Sequence, residues 1–374
     1  MRKHFYILIF TITIFILMII VPQKIYTLDN YYYVLAMGLD YADNNNLNLT
    51  LQIVDGTSDN TLSANLYSIT GKDFSTCISL LDNSLKKRIN LSHCSCIIFS
   101  KELSDNNFNI SNIISTLGNN TEIRNASLVI VSKGNAKNVL NNISNTKEEF
   151  NNKIYEDLIN SSYDIGYVTR CTFGNLFSTS KHQDSAISLP YIITTDNTSQ
   201  INGSIIFKNG IFTNQLSLEE CSYFNLLNNS LNFTEIRLES PFRKNEYINL
   251  ELRPYKNTKI DKYIITNSPT VKYSIYPEFI IKSSGTNYNY TDSNNLEILE
   301  TLLNNYIKEK ASNLLYKLSK EYNSDLLKIQ NKFKTLSLTL EDYNKLNLNK
   351  TFKNTTYILH VDSKISSTNL YNKQ

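Results

Sequence analysis

Three residues that could bind a metal ion or act as nucleophiles stand close together in this chain, at His93, Cys94 and Cys96. Cysteines two positions apart on a strand point to the same face with their Cα atoms about 6 to 7 Å apart, the limit for a disulfide bond. A structural zinc site needs four converging ligands, and no second pair of cysteine and histidine residues follows. We therefore predict that Cys94 and Cys96 share one strand as free, buried thiols, without a metal ion.

The other reactive side chains do not form a catalytic pattern. Nucleophilic catalysis needs a serine or cysteine beside a base, and no nucleophile motif accompanies the histidines. Phosphate-binding and dinucleotide-binding fingerprints are also missing from the sequence. The adjacent carboxylates Glu219 and Glu220, like Glu148 and Glu149, point in different directions on predicted helices, which favours solvated surfaces. The four histidines are His4, His93, His182 and His360. We predict that the protein is not an enzyme and assign no catalytic, cofactor-binding, metal-binding or ligand-binding residue.

Composition narrows the class of protein further. The chain has 374 residues, of which 41% are hydrophobic and 19% charged, and this balance indicates a globular protein. The formal net charge of +3 is too small to indicate nucleic-acid binding. The five cysteines are an odd number without a regular disulfide framework.

The chain opens with a nearly unbroken apolar run from Phe5 to Val21, preceded by Arg2 and Lys3. About 17 apolar residues lie between the usual lengths of a signal-peptide core and of a membrane-spanning helix. Bulky residues follow the run where a signal peptidase needs small ones, which favours an uncleaved anchor over a cleaved signal. The leading cations predict a cytoplasmic amino terminus and an exported remainder.

The first half of the exported region alternates strands with helices. Two strand patterns flank the turn-rich segment 42–46, and a third strand precedes a helix that begins near Asp73. Further strands end near Phe99 and Ser132, with helical patterns between and after them. Segment 147–180 is predicted to be helical with loops. Alternation of this kind predicts a mixed sheet covered by helices.

The second half begins with a hairpin on Asn209-Gly210, followed by a capping box formed by Ser217 and Glu220. Strand patterns dominate residues 233–281. An apolar stripe from Leu296 to Tyr322 then predicts one helix of about thirty residues that packs on a sheet. Residues 357–365 are predicted to close the chain as a single strand.

These patterns predict an α+β protein in which a mixed sheet covered by helices is followed by a second unit, with one amino-terminal hydrophobic helix before them. The expected division is an anchor or signal over residues 1–24, a mixed α/β domain over 25–198, a β-rich middle domain over 199–285, and a carboxyl-terminal domain over 286–374. The polar patch before residue 199 is the main expected boundary.

Short motifs follow one another along these elements in a set order. In the first half they are Gly38-Leu39-Asp40, Leu49-Thr50-Leu51-Gln52, Gly71-Lys72, Leu91-Ser92-His93, Ile97-Ile98-Phe99-Ser100 with Glu102, Glu122-Ile123-Arg124, and Val129 to Gly134 with Ala136. In the second half they are Gly203 to Lys208, Leu216-Ser217, Glu219-Glu220 and Tyr322-Asn323-Ser324-Asp325. Their order and spacing resemble the Ger(x)C family, the C subunits of the GerA-type germinant receptors of spore-forming bacteria.

Two departures from the family accompany this resemblance. Family members usually end their export signal at a lipidated cysteine, and no cysteine lies near Val21. Tryptophans are common in the last segment of family members, whereas this chain contains none. Leu346 or Leu348 is expected at the position of such a tryptophan. The first departure leaves the segment from Phe5 to Val21 as the expected membrane tether.

The resemblance implies a non-enzymatic α+β protein with three mixed α/β (sheet plus helix) domains, held at the outer face of the spore inner membrane. It implies a partnership with two integral membrane subunits, an A-type and a B-type, in a complex that senses small nutrients such as amino acids or sugars and starts germination. It brings no cofactor and no ligand-contacting residue. An exported chain without a reactive constellation is also expected to bind rather than to catalyse.

Two other classes of protein stay open at this point. An extracytoplasmic solute-binding protein would close two α/β lobes on its ligand. In such proteins the chain normally crosses between the lobes at a hinge. This chain is instead predicted to finish one domain before the next begins. An envelope hydrolase would need catalytic residues that the sequence does not offer.

Overall fold

The computed structural model describes residues 30–54, 64–144, 154–182, 185–195, 198–265, 268–284, 292–333 and 352–368, with isolated positions at 4, 6, 10–13, 339 and 341. The predicted anchor over residues 1–24 lies outside the described residues apart from those few positions, as do Glu148, Glu149, Leu346 and Leu348. Among the helices that are described, none is both long enough and apolar enough to cross a membrane.

The first sheet has nine described strands in the order β3-β2-β1-β5-β6-β7-β8-β9, with β4 paired to the beginning of β1. Its centre is parallel, through β1, β5, β6 and β7, and antiparallel strands flank it on both sides. The strands are β1 (Tyr31–Ala42), β2 (Asn46–Val54), β3 (Ala64–Gly71), β4 (Arg88–Asn90), β5 (Cys96–Ser100), β6 (Leu128–Ser132), β7 (Ala186–Thr194), β8 (Ser199–Lys208) and β9 (Ile211–Leu216).

Helices cover both faces of this sheet. They are α1 (Phe74–Ser84), α2 (Glu102–Asp105), α3 (Ile110–Asn119), α4 (Ala136–Ser144), α5 (Ile154–Asp164) and α6 (Phe173–Ser180). One core joins α1, α3 and α6 to one face, and a second core joins α4 and α5 to the other. Successive residues of β5 and β6 are therefore buried on opposite faces, which explains their continuous apolar sequence.

The second sheet has five described strands in the order β10-β11-β12-β13, with β14 also paired to β12. These strands are β10 (Thr234–Glu239), β11 (Tyr247–Ile265), β12 (Ser268–Ser284), β13 (Thr356–Val361) and β14 (Lys364–Thr368). The helices of this part are α7 (Leu218–Leu227), α8 (Ser293–Tyr316) and α9 (Ile329–Phe333), with a π-helical turn over Lys317–Glu321 and a 3₁₀ turn over Phe352–Asn354. A third core packs α7 and α8 against the second sheet and against Ile206 of the first.

Most local predictions are confirmed. The hairpin of β1 and β2 turns at Asn44 and Asn45, which both adopt positive φ angles, and Asn209 and Gly210 do the same between β8 and β9. The capping box at Ser217 is present. The long helix packs on a sheet as predicted, and the π-helical turn extends it beyond Tyr316.

Three local predictions are wrong. Strand β5 begins at Cys96, so Cys94 lies before the strand and the two cysteines do not share it. The closing strand is interrupted at Asp362 and Ser363, where Asn304 accepts the N–H of Ser363, so that β13 and β14 pair separately with β12. Glu219 and Glu220 are not simply solvated, because both form ion pairs with α8 or its π-helical extension.

The α+β class with mixed sheets and helices is confirmed, whereas the number of domains stays a prediction. The expected boundary at 198/199 falls between β7 and β8, which pair along most of their length. The first sheet therefore continues across that boundary and ends at β9.

Candidate functional site

The cysteines and histidines do not form a reactive centre in the described part of the chain. Cys94 donates its thiol to the carbonyl oxygen of Cys96 at 3.3 Å, and both side chains are buried. Burial raises the pKa of Cys94 to about 12 and also raises that of Cys96, so both thiols stay protonated. His93 is exposed and meets the ring of Tyr33 edge-on at 5.0 Å. Among the described residues no three side chains of the metal-binding types cluster.

Several motif residues of the first half, including Asp40, Ser100 and Ser132, lie at the carboxyl ends of the central parallel strands. Asp40, near the end of β1, is buried, and its carboxylate accepts the N–H of Ala136 at 2.6 Å and that of Lys137 at 3.1 Å. These are the first two N–H groups of α4, which are unsatisfied within the helix itself. A residue 96 positions away in the sequence therefore caps this helix.

Burial raises the pKa of Asp40 to about 6, although the two backbone hydrogen bonds act in the opposite direction. The nearby charge of Glu102 also raises this pKa. Gly38, two residues earlier, brings α4 close to the sheet, because a Cβ atom there would lie 3.1 Å from the Cβ of Ala136.

The neighbouring strand ends are fastened in the same way. The N–H of Lys101 donates to the carbonyl oxygen of Ser132 at 2.8 Å, and Ser100 accepts the N–H of Glu102 at 3.2 Å. The hydroxyl of Ser132 donates to the carbonyl oxygen of Gly134. The motif residues at this edge thus form hydrogen bonds within the fold that hold neighbouring strands and helices together.

The motif residues of the second half converge where α7 meets α8, and we call this contact the joint. Ser217 accepts the N–H of Glu220 at 3.2 Å, and Glu220 accepts the N–H of Ser217 at 2.9 Å. The second carboxylate oxygen of Glu220 pairs with Lys317 at 2.5 Å. Glu219 pairs with Lys310 at 2.8 Å and also accepts the hydroxyl of Tyr306 at 3.0 Å.

Partial burial tends to raise the pKa of Glu220, but the hydrogen bonds from Lys317 and Ser217 outweigh it and leave the pKa below its ordinary value. Glu220 is thus charged in the folded protein at neutral pH. The sequence signal for these pairs was the seven-residue spacing of Lys310 and Lys317, which places both lysines on one face of the long helix.

Two further contacts fasten the hairpin of β8 and β9 to the end of the long helix. Lys208 donates to the carbonyl oxygen of Asn323, and the hydroxyl of Tyr322 lies 3.4 Å from the carbonyl oxygen of Gln215. Asp325, which is half-buried, accepts the N–H groups of Ile329 and Gln330 at 2.7 and 2.8 Å and so caps α9.

A groove of about 470 Å³ runs along the joint. Charged side chains of both signs line it, but Glu219, Glu220, Lys310 and Lys317 are paired with one another across it. Such a groove suits a structural connection between two helices, because four of the charged side chains that line it are already paired with one another.

Comparisons with known proteins identify the family of this chain. The family model described as "Spore germination protein N-terminal domain" matches residues 25–194, and that described as "Spore germination B3/ GerAC like, C-terminal" matches residues 202–369. The comparison with curated proteins found no match.

A solved structure, "Crystal Structure of the GerBC protein", has the same fold, with a TM-score of 0.59 and 18% sequence identity. The match covers 88% of this chain and 97% of that one. The two family models together cover nearly the whole region that follows the leading segment, and the motif residues lie within them. The chain therefore belongs to the GerAC-like family of spore germination proteins, the C subunits of germinant receptors.

Proposed function

We propose that this chain is a non-enzymatic, membrane-anchored subunit of a nutrient germinant receptor. In this proposal the segment from Phe5 to Val21 tethers it, and its folded part lies on the outer face of the spore inner membrane. It acts there with an A-type and a B-type integral membrane subunit in the complex that senses a small nutrient.

The observation that carries the proposal is how the family motifs are used. Asp40, Glu220 and Asp325 each accept backbone N–H groups within the fold. Residues used in this way hold elements together, which suits a rigid binding subunit. Tethering also raises the local concentration of the folded part beside membrane partners, so that a weak interface suffices for assembly.

The course of the chain favours this function over a solute-binding protein. The chain leaves the first sheet at β9, passes through α7 and then completes the second sheet, without returning a described strand to the first. Lys208 and Gln215 of the first sheet contact Asn323 and Tyr322 at the end of the long helix, and these contacts fasten the second part to the first. This course of the chain differs from that of a solute-binding protein, in which the chain crosses between two lobes at a hinge.

Fractionation of spores that carry the full chain with a carboxyl-terminal tag tests the proposal. We expect the chain in the membrane fraction, where it co-purifies with A-type and B-type subunits. Deletion of residues 1–22 should release it from membranes and abolish the germination response. An unimpaired response in spores that carry this deletion would contradict the proposal.

Two measurements on the purified full chain separate the other classes. Calorimetric binding of a nutrient by this chain alone would favour the solute-binding protein. Digestion of peptidoglycan by the chain would favour the envelope hydrolase.

A further inference from the structure

We propose that the outer edge of β3 is the surface to which an integral membrane subunit of the receptor binds, by adding an extended, uncharged segment to the first sheet as one further strand. The inference rests on the proposed function. It adds to that function the surface through which this chain meets its partners.

Strand β3 ends the first sheet with backbone groups that have no partner strand. It pairs with β2 from Ala64 to Gly71 without a register shift, and no strand of the described chain lies on its other side. In an antiparallel edge strand, every second residue points its N–H and C=O groups away from the neighbouring strand. Apart from β2, the one hydrogen-bond partner that the structure describes for this backbone is the thiol of Cys77, 4.0 Å from the carbonyl oxygen of Ile69. The outer side of β3 is therefore available to another strand.

The sequence of β3 lacks the usual protections of an edge strand. Proteins shield such edges with charged residues, proline, bulges or very short strands. Strand β3 has eight residues, ANLYSITG, with neither a charge nor a proline among them. Its pairing with β2 also contains no bulge. It therefore has the features of a template for strand addition.

The other described edges are closed, short or charged. At the far edge of the first sheet, Ser104 accepts the N–H of Phe212 in β9 at 2.7 Å. In the second sheet, the side-chain amide of Asn229 bonds both backbone groups of Thr258, where β11 extends beyond β10. Strands β10, β13 and β14 have only six, six and five residues, and β10 and β14 carry charged side chains. This contrast distinguishes β3 from the other edges.

Both layers of the fold end at β3 with half-buried apolar side chains. Tyr67 and Ile69 pack against the core on one face of the sheet, and Leu66 packs against the core on the other. A further strand would cover these side chains, because directly opposite residues of neighbouring strands pack on each other. Main-chain hydrogen bonds would supply the affinity and these side chains the choice of partner. An uncharged segment fits best, because β3 offers no opposite charge to a charged one.

The tether places this edge beside membrane partners. Nine residues, 22–30, separate the apolar run from β1, and even a fully extended segment of that length spans only about 32 Å. Tyr33 of β1 lies opposite Val54 of β2, which in turn lies opposite Ala64 of β3. Two strand spacings, about 10 Å, therefore separate the beginning of β3 from the strand that the tether holds. A segment that leaves a membrane-embedded subunit meets β3 at this end.

A second copy of this chain is the competing occupant. A two-fold axis across the paired edges would make the two β3 strands antiparallel and would place their tethers at opposite ends of the pair. Both tethers nevertheless enter the same membrane in the proposed function. A segment of a different subunit is free of this constraint, because it pairs with β3 in either direction.

Photo-crosslinking in spore membranes identifies the occupant. The full chain, with a carboxyl-terminal tag, carries p-benzoylphenylalanine in place of Ser68, whose side chain is exposed. We expect a covalent adduct with an A-type or B-type subunit, which mass spectrometry should map to an uncharged segment. The same group in place of Thr356, exposed on β13, is the control and should give no adduct with that segment. If the replacement at Ser68 does not fold, Thr70, which is also exposed on β3, takes its place.

Added charge tests whether the edge itself is used. Charged side chains on an edge strand oppose strand addition, so in Ser68→Lys with Thr70→Lys we expect the recovery of A-type and B-type subunits with the tagged chain to fall about tenfold. The matched control is Thr356→Lys with Ile358→Lys, which makes the same change at two exposed positions of β13 and should leave the recovery as in the parent. Thermal unfolding of the purified chains shows whether both pairs of variants fold.

The outcomes separate this inference from the proposed function. If the parent recovers both subunits but the lysines on β3 leave the recovery unchanged, strand addition at β3 is refuted while the proposed function stands. An adduct with a second copy, or no adduct from β3, refutes it in the same way and also decides the matter if the lysine variant does not fold. If the parent recovers neither subunit, the proposed function fails, and the inference fails with it.

Discussion

At the carboxyl ends of the parallel strands in the first sheet, Asp40 turns inward and caps α4, whereas at their amino ends Tyr31, Lys86 and Arg88 lie at an open rim. Asp40, Ser100 and Ser132 at the first edge belong to the family motifs, whereas Tyr31, Lys86 and Arg88 do not. The comparison teaches that motif residues in this protein mark the contacts that hold the fold together, so that a surface for partners has to be sought outside them.

The hairpin of β8 and β9 gives the strongest test of that reading. Gly203 has a φ of +81°, and a Cβ atom there would lie 2.1 Å from the carbonyl oxygen of Leu216. Because backbone cannot move aside, we expect Gly203→Ala to lower the free energy of unfolding by about 4 kcal/mol. Gly134→Ala is the control, since nothing lies within 4 Å of a Cβ atom at that position. Denaturant unfolding measures both, and equal losses would show that the motif glycines are not distinguished by packing.

The pH dependence of stability tests the buried carboxylate at the carboxyl edge. Because the pKa of Asp40 is raised to about 6 from 3.8, the folded state holds its proton more tightly than the unfolded state does. Its contribution is therefore full below about pH 4 and is lost as the pH rises through about 6, a loss of about 3 kcal/mol.

Asp40→Asn cannot titrate and should lack this loss. Subtracting the unfolding free energies of the variant from those of the parent, from pH 3.5 to 7.5, removes the contribution of all other groups. A difference that does not change with pH would contradict the assignment.

The joint allows a comparison of two adjacent carboxylates. Glu220 has 21% of its side chain exposed and combines a helix cap with an ion pair, whereas Glu219 has 51% exposed. We expect Glu220→Ala, which removes both the cap and the ion pair, to cost about 1 kcal/mol and Glu219→Ala only a few tenths. Thermal unfolding at low and high salt would show this order, and the reverse order would indicate that the ion pairs and not the capping box hold α7.

The rim should give the smallest effect on stability. Lys86 and Arg88 are exposed, so Lys86→Glu with Arg88→Glu should change the free energy of unfolding by less than about 0.5 kcal/mol. A larger loss, measured by denaturant unfolding, would place the rim among the structural contacts and remove the contrast between the two edges.

Features that depend on near neighbours in the chain can be predicted from the amino-acid sequence. The alternation of apolar residues, the Asn209-Gly210 turn, the capping box at Ser217 and the apolar stripe of α8 all act within a few residues of one another, and the structure has each of them. The order of the motifs was likewise enough to identify the family.

Contacts between residues far apart in the chain depend on tertiary packing. Asp40 reaches Ala136 over 96 positions and Glu220 reaches Lys317 over 97. The spacing of Lys310 and Lys317 places both lysines on one face of the long helix, but no local pattern selects their partners on α7. The start of β5 after Cys94, the break between β13 and β14 and the extension of the first sheet to β9 were missed for the same reason. Hydrogen bonds to neighbouring strands and burial between layers set those limits, and both depend on the packing of segments far apart in the chain.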